Sequence, residues 1–229
     1  MEILQLQDVS YTYTGKTNVI EHVSLSFEQG KIYAIVGKSG AGKTTLLSMM
    51  SLLTKPSSGK ILYDAKDITD MDPYHYRSQY VGVIFQNYNL LMHLTALENV
   101  VLSMEIAGKK ENRKMIAREL LEKVGLDEEE MNRRILKLSG GQQQRVAIAR
   151  CLSYEPKVIL ADEPTGNLDM ETQAEILEIF KSLAKEGHCI IMVTHSKEVA
   201  ACADEIYELK RMKKSTKKNR RLYLFFLPC

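Results

Sequence analysis

Cysteine is scarce here and poorly placed for chemistry. Four occur in 229 residues, Cys151, Cys189, Cys202 and Cys229, with no C-x-x-C pair and no histidine cluster nearby. That spacing indicates neither a zinc site nor a disulfide framework, and a reducing cytosol is the simplest home. The first residues, Met1-Glu2-Ile3-Leu4-Gln5, lack a basic region followed by an apolar one, so no secretory signal is predicted. No apolar run approaches the ~20 residues of a membrane-spanning helix, which makes any membrane contact peripheral. Large internal repeats are also absent. What is left is one large domain, or a domain with a subdomain, long enough to bury a substantial core.

The formal charge of +2 conceals an uneven distribution. Eight basic residues crowd together at Lys210, Arg211, Lys213, Lys214, Lys217, Lys218, Arg220 and Arg221, and no acid follows Glu208. Setting those eight aside leaves 23 basic against 29 acidic residues, so the body is net negative. Such a body is a poor nonspecific binder of nucleic acid, and no nucleic-acid partner is predicted.

Apolar periodicity organises the rest. Residues Ile3 to Gln29 read as short strands of a half-buried β-layer, with Ile20, Val23, Leu25 and Phe27 alternating against polar neighbours. Three short apolar runs, Ile32 to Val36, Lys157 to Ala161 and Cys189 to Val193, read as buried strands, with a helix from Glu171 to Lys185 between the last two. This pattern predicts an α/β fold with a mostly parallel sheet and helical crossovers. Between residues 88 and 155 the texture changes. Met115, Ile116, Leu120, Leu121 and Val124 recur at helical spacing before Gly125, which reads as an inserted helical subdomain able to move against the core.

Two glycine-rich segments carry the strongest chemical signal. Gly37, Lys38, Ser39, Gly40, Ala41, Gly42, Lys43 and Thr44 fit G-x-x-x-x-G-K-[ST] between a predicted strand and a helix that continues through Thr45. In that context backbone N–H groups, a helix N-terminus and the Lys43 ammonium converge on phosphate, and Thr44 is placed to ligate Mg²⁺. No N-K-x-D segment for reading guanine is present, which disfavours a GTPase. The second segment, Leu138 followed by Ser139, Gly140, Gly141 and Gln142, opens another predicted helix and has the chemistry of an anion-binding helix start. One nucleotide site rarely needs both, so two half-sites on one polypeptide predict closure around nucleotide as a dimer.

Other candidates stand at the ends of predicted strands. Asp162 and Glu163 follow the run ending at Ala161, which puts both carboxylates at the carboxyl edge of the sheet. Asp162 is assigned to the metal or its water shell, and Glu163 to polarising water for in-line attack on a γ-phosphate. His195 emerges the same way after Thr194, to bond phosphate or orient water. Gln86, after Phe85, is a neutral amide at the entrance to the helical insertion, placed to touch metal or water.

At these residues the chain resembles the ATP-binding-cassette ATPases of ABC transporters, over about residues 1 to 209. The resemblance identifies a Walker A loop at Gly37 to Thr44, a glutamine loop at Gln86, a signature at Leu138 to Gln142, a Walker B strand ending at Asp162 with Glu163, a D-loop at Asn167-Leu168-Asp169 and a switch histidine at His195. It implies a nucleotide-binding core (1–87 and 156–209) and a helical subdomain (88–155). ATP and Mg²⁺ are then bound between two copies arranged head to tail, with the signature of one capping the Walker A loop of the other. It also implies Tyr13, rather than Tyr11, stacking on adenine, and a separate membrane permease as partner, with the chain peripheral on the cytoplasmic face. Phe85 to Leu91 and Leu94 to Val100 are similar to ATPases of lipoprotein-release, macrolide-export and antimicrobial-peptide-export systems, although Met92 stands where those often carry proline. The alternative is a soluble nucleotide-gated scaffold or signalling ATPase. After Leu209 the pattern departs from the family, and residues 210–229 form a basic stretch ending in the apolar Leu222 to Leu227.

Overall fold

A computed structural model describes residues 1–13 and 18–210. The basic and apolar ending predicted at residues 210–229 therefore lies outside the described residues except for Lys210.

Two sheets are built. An antiparallel sheet runs in the order β2-β1-β4-β5, from β1 (Glu2–Thr12), β2 (Asn18–Glu28), β4 (Ser58–Tyr63) and β5 (Lys66–Asp67). The first two strands are 11 residues each, longer than the short strands read from the sequence. The alternation is interrupted rather than regular: Asp8 and His22 both take positive φ (53° each), and the register of β1 on β2 shifts on either side of Val9. Ile20 and Val23 can both face inward because the chain kinks at His22 between them, as at a β-bulge. The two kinked residues meet, His22 Nδ1 lying 2.8 Å from Asp8 Oδ1.

The second sheet is parallel, ordered β6-β7-β8-β3-β9, from β3 (Ile32–Val36), β6 (Val81–Ile84), β7 (Val158–Asp162), β8 (Cys189–Thr194) and β9 (Glu205–Glu208). Every residue of β7 and β8 is buried, as expected of strands covered on both faces. One face packs with the antiparallel sheet and helix α1 (Lys43–Met50), around Phe27, Tyr33, Leu46 and Val193. The other face shares a continuous apolar core with the helices.

After the short helix α2 (Pro73–Gln79), residues 88–155 are helical: α3 (Ala96–Ile106), α4 (Arg113–Lys123), α5 (Glu128–Met131) and α6 (Gly140–Leu152). Their starts are fixed locally. Thr95 with Glu98, Asp127 with Glu130 and Ser139 with Gln142 each complete a capping box that satisfies two otherwise orphaned N–H groups. Helix α7 (Met170–Lys185) crosses between β7 and β8, capped by Asp169, and α8 (Lys197–Ala200) precedes β9. No helix among the described residues is long and apolar enough to cross a membrane.

Candidate nucleotide site

The sheet order brings the functional strand ends together. Neighbouring strands β6, β7, β8 and β3 end at Gln86, Asp162-Glu163, His195 and the Gly37 to Thr44 loop, all at the carboxyl edge of the parallel sheet. They line one cavity of about 660 Å³ together with Tyr13, Val19 and Thr45.

The loop's shape follows from its glycines. Gly42 caps α1 with φ of 98°, and a Cβ there would lie 2.7 Å from Ile20 Cδ1, so both backbone and neighbour require glycine. No side chain caps α1, which leaves the N–H groups of its first turn facing the loop. Lys43 Nζ donates to the Gly37 carbonyl at 2.8 Å, holding the ammonium inside the loop. Gly37, Lys38, Ser39, Gly40, Gly42, Lys43, Thr44 and Thr45 all line the cavity. Ala41 does not: its side chain is buried and its N–H is committed to the Lys38 carbonyl at 3.0 Å, so it shapes the loop from behind.

Asp162 and Glu163 have different surroundings, as their separate assignments require. Burial pushes the Asp162 carboxyl above its ordinary value, while the Thr44 hydroxyl and Lys43 pull it the other way. A carboxylate made uncomfortable by desolvation beside a hydroxyl is suited to a hard cation. Glu163 turns sharply out of β7. Its N–H still joins the ladder to the Val193 carbonyl at 2.9 Å, but its φ of 47° is left-handed, a strained state for a side chain of this size. The turn lays its carboxylate over the end of β8, where His195 Nδ1 lies 2.7 Å from Oε1 and the Thr194 hydroxyl donates to Oε2 at 3.1 Å. The sequence pointed to Glu163 and His195 separately; their direct contact and the Thr194 support arise only from the pairing of β7 with β8.

Tyr13 lines the cavity and its hydroxyl sits 2.9 Å from Thr45 Oγ1, while Tyr11 packs against the core and meets Tyr13 edge to face. Val19, a cavity wall that no motif points to, stands at the start of β2. Cys151 and Cys189 are buried, with thiols pushed up to about 12, and take no part in the site.

The signature residues lie elsewhere. Ser139, Gly140, Gly141 and Gln142 are outside the cavity lining, with Ser139 and Gly140 exposed. Gly141 is buried against the start of α7, where a Cβ would come within 2.4 Å of Thr172 Cγ2. One chain thus presents a cavity lined by the Gly37 to Thr44 loop and, apart from it, an exposed glycine-rich helix start.

A mononucleotide with a divalent cation fits this donor set. The first-turn N–H groups of α1, Lys43 and the loop backbone supply positive potential for phosphates. The Asp162 carboxylate and the Thr44 hydroxyl beside it offer the oxygen donors that a hard divalent cation takes.

The family model for ABC transporter matches residues 20–166. The uncharacterized ABC transporter ATP-binding protein YclH of Bacillus subtilis is 46% identical over 222 residues, covering 96% of this chain and 98% of that one. The macrolide export ATP-binding/permease protein MacB of Mannheimia succiniciproducens is 44% identical over 92% of this chain, which spans only 34% of MacB's length. Among solved structures, the dimeric structure of MJ0796, a bacterial ABC transporter cassette, superposes with a TM-score of 0.82 at 38% identity, covering 91% of this chain and 94% of that one. A dimeric post-hydrolysis state of MJ0796 bound to ADP and Pi gives the same TM-score at 35% identity. With a family model covering well over half of it and a relative 46% identical over nearly its whole length, the chain belongs to the ABC transporter family as an ATP-binding cassette.

Proposed function

We propose that this cassette is an Mg²⁺-dependent ATPase that closes head to tail with a second copy and drives a separate membrane permease, on whose cytoplasmic face it sits. The observation that carries the reading is the separation within one chain of a cavity lined by four strand ends and an exposed signature helix start. Each is half of a phosphate site. The MJ0796 cassettes, solved as dimers, and MacB, which joins ATP-binding and permease parts in one protein, support the two partners. The transporter names of its relatives favour coupled transport over the soluble scaffold, and the MacB likeness favours export.

In this reading Tyr13 stacks on the base, the backbone of the Gly37 to Thr44 loop apart from Ala41 holds the phosphates together with Lys43, and Thr44, Asp162 and Gln86 would hold the metal and its water. Bound Mg²⁺ would neutralise charge on the β- and γ-phosphate oxygens. Ser139, Gly140, Gly141 and Gln142 of the second copy close over the γ-phosphate. Glu163, steadied by Thr194 and His195, takes the proton of the attacking water as its oxygen bonds to the γ-phosphorus. The bond from that phosphorus to the bridging oxygen breaks, and ADP leaves with the electron pair. Residues 88–155 move as the unit that presents the signature.

Glu163→Gln tests this. The amide keeps the size of the side chain but cannot take the proton, so turnover should fall about 10²–10⁴-fold while ATP affinity stays within about threefold and dimer accumulates on size-exclusion chromatography with ATP. Equal losses of affinity and turnover would remove Glu163 from the base role.

A further inference from the structure

Helix α6 begins at the signature and carries Arg150 in its last turn. A basic residue there ordinarily serves its own helix's carbonyls. Arg150 instead reaches across to the segment after Gln86: Nη2 donates to the Tyr88 carbonyl at 2.6 Å, and Nη1 donates to the Asn89 carbonyl. It has no carboxylate partner among the described residues, and burial holds its pKa below the ordinary guanidinium value. A half-buried cation without a counter-ion is costly, and its two peptide acceptors must offset that cost.

Those acceptors belong to an unusual turn. Tyr88 and Asn89 are consecutive residues with left-handed backbone, φ of 60° and 50°. The state is tolerable for Asn but strained for Tyr, so it needs support from outside the turn. The planar guanidinium supplies it, binding two successive carbonyls with one rigid fork. The Tyr88 side chain runs toward the other end of the helix. Its hydroxyl lies 3.8 Å from where a Cβ on Gly140 would stand. The Gln86 segment is therefore held by its main chain at the end of α6.

We propose that Arg150 is a positioning residue for Gln86, fastening the strained Tyr88-Asn89 turn to the signature helix so that movement of α6 is passed to the amide at the nucleotide cavity. The proposal rests on the ATPase reading for its kinetic consequence, but not for its structural one.

Arg150→Met and Arg150→Lys test it in the full chain. For Arg150→Met, kcat should fall about tenfold while ATP affinity of the monomer stays within about twofold, since the variant spares the Walker A loop. Lysine, a point donor in place of a fork, should recover part of kcat. Hydrogen exchange should rise about tenfold at the amides of residues 87–91 and stay unchanged at residues 37–45 and 170–185. Wild-type kcat and wild-type exchange at 87–91 in Arg150→Met would overturn the proposal. So would faster exchange throughout residues 96–152, which marks a general structural role. If the wild-type chain itself hydrolyses no ATP, the ATPase reading fails, and exchange at 87–91 still decides what Arg150 holds.

Discussion

Helices α1 and α6 both begin in glycine-rich segments, yet their first turns are finished in opposite ways. Helix α1 follows a left-handed glycine, has no side-chain cap, and opens into a cavity that already holds a lysine ammonium, a hydroxyl and a buried carboxylate. Helix α6 is closed by its own capping box: Ser139 Oγ accepts from the Gln142 N–H at 3.2 Å and Gln142 Oε1 accepts from the Ser139 N–H at 2.8 Å. The first leaves its N–H donors open toward a cavity, the arrangement the proposed phosphate site needs, whereas the second is a helix end closed by its own side chains. Glycine-rich sequence before a helix therefore has two uses in this molecule. One lines a cavity, and in the function proposed above the other serves as a lid over the cavity of a second copy.

Substitutions can separate the two uses. The largest effect is expected at α1, where Lys43→Ala should weaken ATP binding at least ~100-fold, or roughly 2.7 kcal/mol, in a fluorescent-nucleotide titration of the monomer. Unchanged affinity would remove the loop from the phosphate site. At α6, Ser139→Arg should leave that monomer affinity within about threefold and reduce steady-state turnover at least ~10-fold, because the long cation crowds only the closed interface. Normal turnover would make α6 an ordinary capped helix.

The smallest effect concerns the price of building a site in one chain. Burial raises the Asp162 pKa, so the fold binds protons more tightly than the unfolded chain and loses stability as pH rises through that window. Asp162→Asn removes the penalty and should raise Tm by about 2–4 °C at neutral pH, the gain narrowing as pH falls toward the ordinary carboxylate value of 3.8. Thermal unfolding at several pH values reads this directly. A fall in Tm at neutral pH would mean that the Thr44 and Lys43 contacts outweigh desolvation.

The difference between α1 and α6 also marks what the sequence made legible. Short apolar runs ending in Gly37, Asp162 and His195 were readable because buried parallel strands are continuous in hydrophobicity, and their shared edge follows from the parallel arrangement. Helix starts at Ser139 and Lys43 were readable from local chemistry. Contacts that depend on which strands become neighbours were not. The Glu163–His195 pair, the Thr194 support and the left-handed turn at Glu163 need β7 beside β8, and nothing local to Glu163 announces them. Ala41 shows the opposite limit. Motif reading counted it with its neighbours as a nucleotide contact, but its small side chain packs inward and its N–H closes the loop. Gly141 reads as open backbone and is in fact a packing residue against Thr172. Arg150 reads as a helix-end cation, and only the tertiary fold carries it to Tyr88 and Asn89.

The central claim is that the cavity of one copy is completed by α6 of another. Cross-linking tests it most directly: Ser39→Cys in one chain and Ser139→Cys in a second, both carrying Glu163→Gln to hold the closed state and serine at Cys202 and Cys229. With ATP and a short bifunctional thiol reagent, mixing the two chains should produce a covalent heterodimer that neither chain forms alone and that disappears without nucleotide. Absence of that inter-chain band in the presence of bound ATP would contradict the shared site.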